Sequence, residues 1–379
     1  MVIGMRICEN CFSADILKRS IRACGTLGNC PTCHSNQVMT IETEDIPQIA
    51  PEFIDWFSDL IVCFSPSSEL PENFPKKKIQ LLKFELKKNW HIFSDLVDED
   101  EIYDIVTNIC SDLYRYNSKL FDEPIGLLLN EDADYLHEHS LMMGKTWDDF
   151  VDEIKYHNRY HAQTINLNLL EKMLAYLQTT VKCGETFYRC RLSDDNNTID
   201  ADHMGAPPQG KATPGRANAA GISCLYLASN ELTAIAEVRA GVFDYLTIAE
   251  FRLKQDIPVI DFRAIASLCP VGIMMDYFEY ALNKEHLMRI DSEMARGLRR
   301  GDHSIDYVAT QYIADFVKCI TVQSPDGKKA NAYAGIIYKS TLNPNGYNLA
   351  VFDQNLCECV STKACTVNSL RYETNPSFS

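Results

Sequence analysis

Long apolar runs are missing from this 379-residue sequence. The longest ones, such as residues 60–64, are short, whereas a helix that crosses a bilayer needs about 20 apolar residues. The first residues, MVIGMRICENC, lack the apolar core and the small-residue cleavage site of a secretory signal. These absences predict a cytoplasmic protein with no membrane segment.

Positive charge is also scarce. The chain has 36 Lys and Arg against 52 Asp and Glu, which gives a formal charge of -16, and it contains no long basic run. Such a surface repels phosphate backbones, so the composition disfavours nucleic acid as a partner. The 46% hydrophobic and 23% charged residues are otherwise those of a globular protein long enough for two or three domains.

Disulfide bonds are not expected either. Fifteen cysteines are spread over the whole chain, and their odd number argues against complete pairing. In a reducing compartment we expect them to be thiols or metal ligands.

Four of these cysteines have the spacing of a zinc site. Two C-x2-C pairs, separated by eighteen residues, are formed by Cys8, Cys11, Cys30 and Cys33. Each pair can grip one tetrahedral ion from a tight turn, and four protein ligands leave no open position for catalysis. The spacing therefore predicts a structural Zn2+, with Cys24 and His34 as substitute ligands, and free reduced thiols as the alternative.

The sequence predicts an α+β fold in three parts. Residues 1–40 form a small zinc-ribbon-like module, and residues 41–180 form a helical domain in which Trp147, Phe150 and Ile154 fall on one helical face. Acidic runs such as SDLVDEDEIYD are typical of helix starts. Residues 181–360 alternate short β-like runs with turns and two helices, TAIAEVR near 233–239 and a second near 286–300. This third part is predicted to be a mixed β domain.

Five ordered blocks in this third part resemble a known family. They are FYRCR at 187–191, PGRAN at 214–218, GISCLYLASNELTAIAEVRAG at 221–241, DYVATQYIADFV at 306–317 and AGIIYKS at 334–340. Their order is similar to that of the RES domain, over about residues 183–353. The preceding block, with Trp147, Phe150 and Arg159, resembles the HEPN/RES-type helical region that accompanies some RES domains.

The resemblance implies an ADP-ribosyltransferase-like fold and a bacterial toxin that degrades NAD+, often paired with an Xre-type helix-turn-helix antitoxin. By position, the family's catalytic residues fall on Arg189, Glu237 and Ser340, and its NAD-binding residues on Tyr188, Arg216 and Tyr226. Ala217 stands where the family more often has a bulky aromatic residue, which affects the shape of that loop.

These residue types suit cleavage of the nicotinamide–ribose bond. An arginine fork binds phosphate oxygens, as Arg189 and Arg216 would. A carboxylate such as Glu237 stabilises an oxocarbenium-like state. Nicotinamide leaves as a neutral molecule, so no general acid is needed. Tyr226 could stack on the nicotinamide ring, and Ser340 could hold Glu237 or the ribose by a hydrogen bond.

Three functions stay open at this point. The favoured one is an NAD+ glycohydrolase or phosphorylase that acts as a toxin or phage-defence effector. An ADP-ribosyltransferase that modifies a macromolecule would use the same residues. A non-catalytic sensor or binding module is the alternative from another class. The sequence leaves open whether the chain forms a homo-oligomer and what activates it.

Overall fold

The computed structural model describes residues 4–272, 275–297, 304–323 and 327–370. The chain divides into two compact units. The first combines residues 1–140 with 267–285, and the second combines residues 141–266 with 286–379.

Small sheets and short helices make up most of the first unit. Its strands are β1 Arg6–Cys8, β2 Thr26–Gly28, β3 Val38–Glu42, β4 Phe64–Pro66, β5 Gln80–Leu81 and β6 Pro124–Leu127. Its helices are α1 Asp15–Cys24, α2 Ile46–Ile49, α3 Glu52–Ile61, α4 Leu82–Phe84, α5 Glu99–Ile109, α6 Ser111–Tyr116, α7 Lys119–Asp122 and α8 Ala133–His139. Strands β1, β3 and β2 form one antiparallel sheet, and β4, β6 and β5 form another.

The acidic runs begin helices, as the sequence predicted. The Asp98 carboxylate accepts the backbone N–H groups of Asp100 and Glu101, and Glu101 accepts the N–H of Asp98 in return. This capping box satisfies N–H groups that have no partner inside α5. At the start of α8 the Asp132 carboxylate likewise accepts the backbone N–H groups of Asp134 and Tyr135.

A mixed sheet dominates the second unit. Its strands are β7 Gln178–Val181, β8 Thr186–Ser193, β9 Leu225–Ala228, β10 Tyr245–Leu253, β11 Ile257–Asp261, β12 Thr321–Gln323, β13 Lys329–Asn331, β14 Gly335–Lys339, β15 Tyr347–Val351 and β16 Cys357–Thr366. Its helices are α9 Trp147–Asp152, α10 Leu167–Ala175, α11 Glu231–Glu237 and α13 Val308–Cys319, while α12 Tyr277–Ala295 contributes residues to both units.

Within the described residues, eight strands form the large sheet in the order β16-β10-β8-β9-β15-β14-β11-β7. All neighbours are antiparallel except β11 and β14. One face carries a core that includes Phe187, Leu225, Leu349 and Val351. On the other face α11 packs through Ala234 against a second cluster. The predicted α+β fold class, with a cysteine-bearing small sheet, a helical middle and a C-terminal mixed sheet, is confirmed.

The amphipathic helices bury the faces that their periodicity predicts. Trp147, Phe150 and Ile154 are all buried, and so are Leu170 and Leu174. The helix predicted near residues 286–300 begins earlier, because α12 starts at Tyr277, and residues 298–300 of that prediction lie outside the described residues. No helix in the described part of the chain has the length and apolarity to span a membrane.

Candidate active site and metal centre

Glu237 is the last residue of α11, and its carboxylate is held from two sides. The Ser340 hydroxyl donates a hydrogen bond to Oε1 over 2.8 Å, and the Asn348 side-chain amide donates to the same oxygen over 2.7 Å. The helix itself starts where the Asn230 side chain accepts the backbone N–H of Thr233. Two donors therefore fix one oxygen of this carboxylate.

Ser340 directly follows β14, and its hydroxyl makes three hydrogen bonds. Its Oγ accepts the backbone N–H groups of Leu342 at 3.3 Å and Asn343 at 3.2 Å, while its hydrogen goes to Glu237. A hydroxyl has one hydrogen and two acceptor sites, so these bonds use all of them. Ser340 is thus placed to orient Glu237, and it is not placed as a nucleophile.

Asn348 is the residue that the sequence analysis missed. It lies on β15 opposite Ala228 of β9, and it is 5% exposed. Its run, YNLAV, is otherwise apolar apart from the tyrosine hydroxyl. Asparagine is depleted in strands, and a buried polar side chain needs a partner. An asparagine inside an apolar strand was the available signal.

The rest of the Glu237 side chain faces outward. The residue is exposed although Oε1 points to buried donors, and no cation of the described residues lies within ion-pair distance. Tyr338 is buried near it, and the pKa of this tyrosine is raised by burial and then by the charge of Glu237. Oε2 is accordingly the oxygen available to a ligand.

Arg189 projects from β8 and donates from Nη1 to the backbone carbonyl of Tyr226 over 2.8 Å. Strands β8 and β9 pair only at Tyr188 and Ala228 among the described residues, so the guanidinium spans the gap where the strands part. Burial, and then the charge of Arg191, lowers the Arg189 pKa to about 10, which leaves it charged at neutral pH. No described hydrogen bond or ion pair joins Arg189 to Glu237 or Ser340.

Tyr226 anchors the loop that carries the second predicted arginine. Its hydroxyl donates to Asn218 Oδ1 over 2.6 Å and accepts the backbone N–H of Ala217 over 2.9 Å. Burial raises its pKa well above the usual value. A Cβ at Gly215 would lie 2.5 Å from this hydroxyl, so the loop packs closely on the ring.

We expect Tyr226→Phe to loosen this loop. The substitution removes the only acceptor described for the Ala217 N–H, and losing such a bond costs about 1–3 kcal/mol. Hydrogen exchange followed by mass spectrometry should show faster exchange at residues 215–218. Tyr245→Phe, at a more exposed tyrosine of β10, is the control and should leave that segment unchanged. Unchanged protection in Tyr226→Phe would contradict this role.

The guanidinium of Arg216 donates to backbone carbonyls at the C-terminal end of α12. Nη1 donates to the Glu293 carbonyl over 3.3 Å, Nη2 donates to the Arg296 carbonyl, and the group lies 5.9 Å from the ring centre of Tyr307. A cation suits carbonyls at and just beyond the C-terminal end of α12. In this conformation the guanidinium is engaged by backbone, so its predicted contact with NAD+ stays a prediction.

Tyr188 lies on the opposite face of β8 from Arg189, because successive side chains alternate along a strand. It lines a cavity of about 380 Å³. The other lining residues are Asn230, Glu231, Leu232, Asn343 and Asn345. The cavity therefore borders α11 and the loop that follows Ser340.

The four predicted metal ligands meet in the first unit. The sulfurs of Cys8, Cys11, Cys30 and Cys33 all lie within 4.8 Å of one another and are buried. The Sγ distances are 3.8 Å between Cys8 and Cys11, 3.3 Å between Cys8 and Cys33, and 3.6 Å between Cys11 and Cys30. Tetrahedral Zn–S bonds of about 2.3 Å place the sulfurs roughly 3.8 Å apart. The cluster therefore fits a zinc ion.

The C-terminal part is a mixed α+β domain. It carries the Glu237 carboxylate, which accepts hydrogen bonds from Ser340 and Asn348. Residues 186–374 match the RES domain, and through this part the chain belongs to the RES domain family. No curated protein and no solved structure matches the chain significantly.

Proposed function

We propose that the chain is an enzyme that consumes NAD+ by cleaving the bond between nicotinamide and ribose. RES domains are a family of NAD-degrading toxins, and the RES domain spans residues 186–374. The observation that carries the proposal is the carboxylate of Glu237, an exposed residue whose Oε1 is held by Ser340 and Asn348 and whose Oε2 has no described hydrogen-bond partner.

The chemistry follows from this arrangement. As the glycosidic bond lengthens, positive charge develops on the ribose, and an anion fixed beside the anomeric carbon stabilises it. The electron pair of the bond leaves with nicotinamide, which becomes neutral. An oxygen of water or phosphate then bonds to the anomeric carbon, and water loses one proton to the solvent as it adds. Depletion of NAD+ would arrest growth, as expected of a toxin or phage-defence effector.

The test is incubation of the full-length protein with NAD+, with products separated by chromatography. We expect nicotinamide together with free ADP-ribose, or with its phosphate ester when phosphate is the acceptor. Nicotinamide together with ADP-ribose attached to protein or nucleic acid would instead establish the transferase. If the protein does not bind NAD+, the enzyme is rejected in favour of the non-catalytic binding module.

Ser340 and Asn348 should matter through Glu237. We expect Ser340→Ala and Asn348→Ala each to lower kcat about tenfold to a hundredfold, because a hydrogen bond to a charged group is worth about 1.5–3 kcal/mol. KM should change little. Asn355→Ala, at an exposed asparagine after β15, is the matched control. Activity of Ser340→Ala equal to that of the control would contradict the role given to Ser340.

We further propose that Cys8, Cys11, Cys30 and Cys33 hold a structural Zn2+. Four buried sulfurs at near-tetrahedral spacing support this. The backbone N–H of Cys8 also lies 3.4 Å from the sulfur of Cys11, a contact that stabilises a thiolate ligand. Such a site requires a reducing compartment, in agreement with the expected cytoplasmic location.

A toxin of this family would be controlled by a partner protein. The RES domain implies an Xre-type antitoxin, and we propose that a cognate protein of that type neutralises the chain. Relief of growth arrest on co-expression would support this partner.

A further inference from the structure

Arg191 lies two residues beyond Arg189 on β8. The two arginines stand opposite Thr247 and Ala249 of β10, and they alternate with Tyr188 and Cys190. Side chains two positions apart project from the same face of a strand, about 6.6 Å apart along it. Two guanidinium groups are thus neighbours on one face of the sheet.

Neither arginine has an acidic partner. No ion pair to Arg189 or Arg191 occurs among the described residues, although acidic residues outnumber basic ones by 52 to 36. Other arginines in this sheet or directly after one of its strands do pair with carboxylates. Arg263 pairs with Asp261 at 2.7 Å, and Arg252 pairs with Glu250 at 3.3 Å. Unpaired neighbouring cations repel each other, and burial strengthens this repulsion.

Each guanidinium makes one hydrogen bond and keeps one buried donor without a partner. Arg189 donates from Nη1 to the Tyr226 carbonyl, and Arg191 donates from Nη2 to the Gly205 carbonyl over 2.6 Å. The Nε atoms of both are buried and have no hydrogen-bond partner. Leaving a buried donor without an acceptor costs about 1–3 kcal/mol, and more for a charged group. An anion that accepted from both groups would remove these costs.

We propose that Arg189 and Arg191 form one anion-binding site that takes a diphosphate, with Arg191 as a binding residue beyond those predicted from the family. The proposal rests on the proposed function, because the diphosphate would be that of NAD+. A single carboxylate would neutralise one cation only. Two bridged phosphates offer oxygens to both forks at once, and arginine binds phosphate oxygens with paired N–H groups.

Binding of inorganic pyrophosphate tests the site without any turnover. We expect calorimetry to detect pyrophosphate binding to the full-length protein. Arg191→Met, which keeps much of the side-chain volume but removes the charge, should weaken it at least about tenfold, equivalent to about 1.4 kcal/mol. Arg252→Met removes an exposed, paired arginine of β10 and should leave the affinity within about two-fold.

Thermal unfolding gives a second readout that separates binding from damage to the fold. Pyrophosphate should raise the unfolding temperature of the wild type, because a ligand of the native state stabilises it. It should not raise that of Arg191→Met, whose unfolding temperature without ligand should equal or exceed the wild-type value, since the repulsion is relieved. If Arg191→Met folds and binds pyrophosphate as the wild type does, the site is refuted.

The site and the proposed function can fail separately. Pyrophosphate binding that depends on Arg191, without any NAD+ loss, would support the anion site and reject the enzyme. NAD+ loss with a KM that Arg191→Met leaves unchanged would support the enzyme and reject the role of Arg191. Binding of adenosine, which has no phosphate, should be the same in both proteins.

Discussion

Replacing Glu237 by Gln should lower the rate of NAD+ cleavage about 10³-fold, the size of effect seen when a charge-stabilising group is removed from an active site. The amide oxygen of glutamine can still accept from Ser340 and Asn348, as Oε1 does. The outward oxygen is replaced by a neutral NH2 group. The fold and the hydrogen bonds are kept, and the variant loses only the negative charge that faces the ribose.

The expected loss lies in kcat, because the carboxylate acts when charge develops in the transition state. Single-turnover measurements with labelled NAD+ would resolve a loss of this size. The matched control is Glu358→Gln, at an exposed glutamate of β16. It should retain activity within about two-fold. Turnover by Glu237→Gln close to that of Glu358→Gln would refute the role of Glu237.

The ordered family blocks predicted candidate residues that no local sequence pattern indicates. Glu237 and Ser340 are 103 positions apart in sequence, yet their side chains are in hydrogen-bond contact. Taken alone, Glu237 is an ordinary residue of a good helix former, and Ser340 could simply end a strand. Only their shared family pattern predicted a hydrogen bond between Ser340 and Glu237.

Other features depend on tertiary neighbours and could not be read from the sequence. Asn348 contacts Glu237 only because β15 lies beside β9, on the face that α11 covers. The commitment of Arg216 to helix carbonyls depends on where α12 ends. Likewise, Arg191 is a candidate binding residue because no described carboxylate pairs with it. The sequence alone does not show which residues are its neighbours in space. Periodicity and spacing report local geometry, whereas these contacts need the packed fold.

Loss of one cysteine ligand should have the second large effect, in the first unit of the chain. Structural zinc contributes on the order of 10 kcal/mol to the folding of small zinc modules, because the site forms only in the folded state. We expect Cys30→Ser to bind no zinc after dialysis and to lose the ordered structure of residues 4–42.

Metal analysis of the purified protein, with hydrogen exchange of residues 4–42, measures both effects. The wild type should carry one zinc ion per chain, and its residues 4–42 should exchange hydrogen slowly. A strong chelator should remove the zinc and speed this exchange. Cys24→Ser is the matched control. Its thiol, at the end of α1, donates to the Ser20 carbonyl and lies outside the cluster, so the variant should keep its zinc. Wild-type protein that is free of metal, with Cys8, Cys11, Cys30 and Cys33 found alkylated by a thiol reagent in a peptide map, would instead show that these cysteines are reduced and unligated.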